Sequence, residues 1–359
     1  MVGDERVTVP EEYRAVEDWF SAKELNRKLG FAVDSRGGQQ GGDAGQASDD
    51  ALNRFWSWIT SGPQVQVPGP KALVTAPKYF RGQTKSWHGF TSSLYRVCER
   101  VLRDERVSEN HLAAAERGVL AAMRKQGMGR RMTDGELLMI CQHHQVPTRL
   151  IDVSMMPLEA LYFAVEKEDG VDGRLFIVAP HCGSDELPNS REPLKLSQGQ
   201  GNVSEGKSPL PWADAVRGVK QAHGGWSNEV RLVDEEPLDP RMRAQAGKFL
   251  VGGLHRAYRG LNMPGVDKDD RPKISNLAIH FNPPFSDGKV SQNWRATGWS
   301  VRIYAEWKSE LRSKLAGLQE THGIENISEN SMYPPIGQIG RLGKHVAETG
   351  MEATIAAAL

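Results

Sequence analysis

Cysteine is scarce in this chain: three in 359 residues, Cys98, Cys141 and Cys182. An odd number without zinc-type spacing argues against a disulfide framework and a structural metal site, and it fits a reducing compartment. Long apolar runs are missing as well. No stretch approaches the ~20 residues of a membrane-spanning helix, and the polar, acidic start has no signal-peptide hydrophobic region, so the expectation is a cytoplasmic protein without a membrane role. Net charge is absent too. The 45 Lys and Arg balance 45 Asp and Glu, which leaves no global field to draw the chain to nucleic acid or an anionic bilayer. Any nucleic-acid contact has to be local, and the densest basic group, Arg117, Arg124, Lys125, Arg130 and Arg131, reads first as a solvated helix face with its turn.

What is present is the composition of an ordinary folded protein, 39% hydrophobic and 25% charged, with a raised glycine count of 37. No internal repeat is visible. The chain divides into an N-terminal helical region (1–69), a main domain (70–345) and a tail (346–359). Trp19, Phe20, Leu25 and Leu29 recur at near-helical intervals. Residues 35–49 are, apart from Arg36, Gly, Gln, Ser, Ala and Asp, a composition too polar to offset ordering entropy, and are expected to form a mobile surface loop. A helix carrying Leu52, Phe55, Trp56 and Ile59 should end at Ser61-Gly62-Pro63. Residues 71–80 read as one strand. Ser92 or Ser93 and Ser108 are placed to cap two successive helices, a third runs from about Thr133 with Asp134 and Glu136 in its first turn, and Pro157 opens a fourth with Leu158, Leu161, Tyr162 and Val165 as its buried stripe. Residues 174–178 form a buried strand. Residues 183–225, polar and rich in Gly and Pro, look like an insertion loop or lid. Further strands are expected at 229–233, 248–251, 276–281 and 301–304, and a last helix at 306–321.

Two polar knots interrupt this apolar frame. One is Arg81-Gly82-Gln83 at the end of an aromatic strand. The other is Gln-His-His-Gln-Val-Pro-Thr-Arg-Leu-Ile-Asp at 142–152, between two apolar helices. Polar residues clustered there build a pocket better than a core. His143, His144 and Asp152 do not make a metal site, because adjacent histidines on a helix point apart and no third ligand has the right spacing. Arg149 and Asp152, three apart after Pro147, are either a cleft residue with its anchor or members of a buried ion pair. Arg81 is the other partner open to Asp152.

These motifs resemble those of the FRG-domain family, named after Phe-Arg-Gly, here Phe80-Arg81-Gly82. The family's Gln-His-Tyr-Gly-Leu-Pro-Thr-Arg-Leu-Leu-Asp-Trp-Thr motif is similar to residues 142–154, with departures at His144, Gln145 and Val153, and Ala-Leu-Tyr-Phe-Ala follows at 160–164. A third motif is matched by Arg241, Gln245, Gly247 and Phe249. The terminal helix, with Gly323, Ile324 and Tyr333-Pro334, is also similar, so the likeness spans about residues 70–345. A more distant resemblance is to the ADP-ribosyltransferases, which place an Arg at the end of a first strand, a Ser/Thr-rich strand leading into Ala-x-x-Phe-Ala, and a Glu or Gln on a later strand.

The second resemblance implies an α+β fold, a mixed, largely antiparallel split sheet around a cleft with flanking helices. It implies NAD as substrate, no metal, and a macromolecular acceptor, protein or nucleic acid. Cleaving nicotinamide from NAD builds positive charge on the ribose, so such a site needs a cation for the pyrophosphate and a carboxylate or amide beside the ribose. Arg81 suits the pyrophosphate through its planar fork. Glu229 or Gln245 is the group at the ribose; the alternative for Glu229 is a surface charge. Gly82, Gln83, Thr148, Arg149, Asp152 and Tyr162 complete the expected cofactor site. Tyr162 is otherwise a core residue whose hydroxyl needs a partner. A toxin or phage-defence effector of this kind would need a neutralising antitoxin, with 35–49 and 183–225 as docking segments. A nucleotide- or nucleic-acid-binding module without catalysis, and an NAD glycohydrolase, are the competing readings.

Overall fold

The computed structural model describes residues 8–22, 24–33, 44–63, 66–68, 73–75, 77–103, 106–180, 193–197, 210, 212, 226, 229–233, 247–254, 267, 270–281 and 295–332. Gln245, Arg241, Cys182 and most of 183–225 lie outside them.

The amphipathic N-terminal stretch forms a 3-10 turn, Glu11–Tyr13, then α1 (Arg14–Ala22) and α2 (Leu25–Leu29). The next helix, α3 (Ala44–Thr60), starts within the segment expected to be loop. Its apolar stripe supplies the reason: Leu52, Phe55 and Ile59 are buried, and a helix anchored so firmly extends backward at little further cost. The strand expected over 71–80 is broken: a hairpin of β1 (Gln66–Pro68) and β2 (Leu73–Thr75) comes first, and β3 (Tyr79–Gln83) begins after Pro77.

Local capping chemistry sets the following helices. Ser92 accepts a bond from the Tyr95 N–H and starts α4 (Ser93–Leu102). Ser108 forms a capping box with His111 at α5 (Glu109–Lys125), and Thr133 forms one with Glu136 at α6 (Asp134–His143). Arg124, from the basic group, is spent on the turn between them, donating to the Gly129 and Met132 carbonyls and pairing with Asp134. Then come β4 (Ile151–Ser154), α7 (Pro157–Val165), β5 (Gly173–Pro180), β6 (Val230–Val233), β7 (Gly247–Gly252), the single turn α8 (Arg271–Ile274), β8 (Ile279–Phe281) and β9 (Ala296–Ile303). A 3-10 turn, Ala305–Trp307, leads into α9 (Lys308–Ala316), α10 (Leu318–His322) and α11 (Glu329–Met332).

The architecture is mixed α and β. Seven strands lie in the order β6-β7-β4-β3-β5-β9-β8, antiparallel throughout except for the parallel β8–β9 pair. Central β5 is buried on both faces, so its apolar run is continuous rather than alternating. Leu175 and Ile177 meet α3, α7 and α9 on one face, together with Phe80, Trp299 and Trp307. Phe176 and Val178 meet Phe20 of α1, Phe90, Leu277 and Phe281 on the other. A third cluster joins α6 to Phe249, Val251 and Trp212.

Charge ties the N-terminal helices to the sheet. Arg174 is fully buried, with its Nη2 3.2 Å from Glu17 Oε2 and its Nη1 2.9 Å from the Ser300 hydroxyl. Glu24 lies 3.0 Å from Arg302 and 3.6 Å from Arg174. Burial raises the Glu24 carboxyl to about 7 against the pull of Arg174. Among the described residues no helix is long and apolar enough to cross a membrane, and no cluster of His, Cys, Asp and Glu could hold a metal ion.

Candidate functional site

The sheet has one weak seam. β3 pairs with β5 along all five of its residues, and β4 pairs with β7 along all four. Between β3 and β4 the register comprises one pair, Phe80 opposite Ser154. Beyond it the strands part, and the gap opens into a cavity of about 330 Å³ lined from β3, β4, β7, the end of α6, α7 and the start of α4.

Arg81 stands at this fork. Its Nη1 donates to the Asp152 carbonyl at 2.7 Å and lies 3.5 Å from the Asp152 carboxylate. The guanidinium therefore satisfies a backbone oxygen at the point where the ladder has stopped. Asp152 is held from its other side: Gln142 Nε2 donates to Oδ2 at 2.5 Å, and the Thr148 hydroxyl donates to Gln142 Oε1 at 2.5 Å. Thr148, fully buried, accepts in turn from the Leu150 N–H. Thr148 thus acts on the site through Gln142 and lies outside the cavity lining.

Gly82 has a role other than admitting a ligand to the backbone. A Cβ there would sit 1.8 Å from the Ala160 carbonyl and 2.6 Å from the Ala164 nitrogen, so the missing side chain is what lets α7 lie on β3. Phe80 packs toward the same helix. Arg81 and Gln83, on the alternate face, join His88 and Arg96 in lining the cavity, while Ala160, Phe163 and Glu166 line it from the α7 side.

The polar wall is cationic. Arg96 donates to the Thr91 carbonyl and hydroxyl at 2.6 and 3.2 Å. Burial, then the neighbouring Arg81, lower its guanidinium to about 10, so it stays charged at neutral pH. Burial and the cations Arg96, Lys85 and Arg81 push His88 down to about 4, leaving a neutral ring edge-on to Tyr13. Lys248 adds a third cation to the lining. Arg81 Nε and Gln83 Oε1 are buried atoms with no hydrogen-bond partner in the protein.

The cavity brings together Arg81, Gly82, Gln83 and Asp152 of the residues expected from the sequence. Arg149 sits elsewhere. It is 3% exposed, bonds Glu116 and Glu109 at 3.1 Å each, and lies over the Trp212 ring. Tyr162 is buried in the core between α7 and its neighbours, and the next residue, Phe163, reaches the cavity. Glu229 precedes β6, whose far end, Val233, pairs with cavity-lining Phe249. Four residues of strand put it ~13 Å along the edge. Its carboxyl is raised by burial and lies 3.8 Å from Arg231. Gln245 lies outside the described residues, two positions before cavity-lining Gly247.

Several groups escaped the sequence reading: Arg96, His88, Lys248 and the pair Ser154–Glu159. Ser154 lines the cavity, and its hydroxyl donates to Glu159 Oε2 at 2.5 Å while accepting from the Met156 N–H at 2.8 Å. Burial raises the Glu159 carboxyl to about 7, opposed by that hydrogen bond. The i, i+4 spacing of Glu159 and Phe163 on α7 was a usable signal for Glu159. Arg96 carried none.

Fold and site define a mixed α/β protein with a cavity at a fork in its sheet, lined by Arg81, Arg96 and Lys248 and by the carboxylates Asp152 and Glu166. Residues 76–172 match the family model described as FRG domain, a span that includes β3, β4, α7 and most of the cavity lining. Neither the curated proteins nor the solved structures give a match.

Proposed function

We propose that this cavity binds a nucleotide by its phosphates and that the ligand is NAD, the donor in ADP-ribosyl transfer to a protein or nucleic acid. The reading draws on the sequence resemblance for the chemistry. The observation that carries it is the placing of Arg81 and Arg96 in the lining of one cavity, close enough that Arg81 lowers the Arg96 guanidinium. Two guanidinia that disfavour one another gain most from an anion placed between them.

In the proposed reaction the bond between ribose C1 and the nicotinamide nitrogen breaks, nicotinamide leaves with the electron pair, and an acceptor nucleophile bonds to C1 and gives up its proton to solvent. Arg81 and Arg96 would hold the pyrophosphate, and Phe163 or Phe249 would offer an apolar surface to a ring. Gln245 belongs to the segment entering β7 and remains the proposed group at the ribose. An enzyme acting in this way on the cell's own macromolecules would serve as a toxin or a phage-defence effector and would need a neutralising partner. A binding module that cleaves nothing is the second reading, favoured by the place of Glu229 just before β6, ~13 Å along the sheet edge from the end that pairs with cavity-lining Phe249.

The test incubates wild type and Arg81→Met with labelled NAD and with protein and RNA fractions, following nicotinamide release and label transfer. Transfer by wild type, lost in the variant, supports the transferase. Release without transfer indicates a glycohydrolase. Saturable NAD binding without release leaves the binding module, and no NAD binding at all rejects the nucleotide reading.

A further inference from the structure

A cavity of about 330 Å³ holds a small molecule, so a macromolecular acceptor has to present its nucleophile at the mouth, to a group that is both open and held in place. Two carboxylates line the cavity, and exposure separates them. The Glu166 side chain is 13% exposed and lies 3.4 Å from Lys167, whereas that of Asp152 is 52% exposed. Asp152 is also oriented. The Thr148 hydroxyl accepts from the Leu150 N–H and gives its own proton to Gln142 Oε1. The Gln142 amide then has one orientation, Nε2 donating to Asp152 Oδ2 at 2.5 Å, because the flipped amide would set oxygen against carboxylate. Thr148 is itself anchored to the start of α4, where its backbone bonds the Ser93 hydroxyl and the Leu94 N–H. The Gln142 bond and the 3.5 Å approach of Arg81 both fall on Oδ2, which leaves Oδ1 of this half-exposed side chain without a hydrogen bond among the described residues.

We propose that Asp152 is a catalytic residue of the ADP-ribosyl transfer: through Oδ1 its carboxylate takes the proton of the acceptor nucleophile. The proposal rests on the transferase reading and adds the group that activates the acceptor. As the nucleophile bonds to ribose C1, its bond to hydrogen breaks and the proton goes to Oδ1; the bond from C1 to the nicotinamide nitrogen breaks, its electron pair leaving on nicotinamide. The carboxylic acid then loses the proton to the solvent it faces. Gln142 and Thr148 are positioning residues, which hold Oδ2 so that Oδ1 meets the acceptor.

The test compares wild type, Asp152→Asn and Gln142→Met, each as the full chain with labelled NAD and with protein and RNA fractions, reading the rate of label transfer and, by calorimetry, NAD affinity. Asparagine keeps an acceptor for Gln142 and leaves the Arg81 bond to the backbone, but it cannot take a proton. Asp152→Asn should transfer about 100- to 1,000-fold more slowly with NAD affinity unchanged. Gln142→Met, which frees the carboxylate to turn without removing it, should lose about tenfold in rate and nothing in affinity. NAD binding by each variant also shows that it has folded. A wild-type rate in Asp152→Asn, or a rate lost only in step with NAD affinity, overturns the assignment and leaves the transferase standing. If wild type transfers nothing, the transferase reading has failed and the assignment goes with it, so one failure is seen in wild type and the other in the variant.

Discussion

Arg81 and Arg149 come from the two polar knots of the chain, and the fold gives them opposite surroundings. Arg149 is enclosed by α5 and by Trp212: Glu116 and Glu109 each take one of its nitrogens, and Trp212, whose indole N–H bonds Glu116 at 2.7 Å, covers its flat face. Arg81 meets a backbone carbonyl and a carboxylate that is 52% exposed and shared with Gln142. One guanidinium has its countercharges built in. The other is anchored at one edge and open at the next. The difference separates an arginine that holds helices together from one able to hold a ligand, and it comes from what surrounds each residue, since the residue type is the same.

The sharpest way to test that contrast is to remove each cation. Arg149→Met should leave Glu116 buried and uncompensated and destabilise the fold by about 3–5 kcal/mol, read from urea unfolding. Burial already raises that carboxyl against the pull of Arg149. Arg81→Met should do the reverse, weakening nucleotide binding by roughly 10- to 100-fold, the worth of a hydrogen bond to a charged group. Its unfolding midpoint should move far less than that of Arg149→Met. Comparable stability losses in both variants would erase the distinction.

The third prediction concerns Glu159, the carboxyl bonded to cavity-lining Ser154. In the folded chain Glu159 titrates at about 7, against 4.5 when unperturbed. Between those values the folded state holds a proton that the unfolded state releases, so stability is greatest below the window and falls as pH rises through it. Glu159→Gln should make that fall shallower, on the order of 1–2 kcal/mol across the window. Glu24, also raised to about 7, leaves a residual slope of the same sign. Urea melts from pH 4 to 8 measure the difference, and an unchanged slope would place Glu159 in water.

The smallest effect belongs to Gln145, which lines the cavity with φ +62°. It follows the end of α6, where its N–H bonds the Gln142 carbonyl and the Val146 N–H bonds the Cys141 carbonyl, a helix ending that favours glycine at the left-handed position. Gln145→Gly should raise stability by about 1 kcal/mol, seen as a higher Tm. A lower Tm would show that the glutamine side chain holds the turn.

What was legible in the sequence was local. Ser92, Ser108 and Pro157 announce their helices because start signals act within a turn, as do Asp134 and Glu136 in the first turn of α6, and Arg81-Gly82-Gln83 and Asp152 announce a site because they are polar within apolar runs. β9 begins at Ala296, five residues before the strand expected from Val301, and Gly298 hid that first half by breaking the apolar pattern. That glycine makes room for Phe281, whose ring would lie 2.4 Å from an added Cβ. Arg96, His88 and Lys248 reach the cavity through contacts between distant segments, which no window of sequence contains. Arg149 looked equivalent to Arg81 because its carboxylates, Glu109 and Glu116, stand 40 and 33 residues away.

The fork between β3 and β4 also has a mechanical meaning. Joined by a single residue pair, the strands on either side form two plates, β6-β7-β4 and β3-β5-β9-β8, that share a hinge at Phe80 and Ser154. Arg81 is a latch across that hinge, rooted in one plate and fastened to Asp152 in the other. A ligand reaching from Arg81 to Lys248 would fasten the plates a second time, at the open end, so that filling the cavity and stiffening the sheet become the same event.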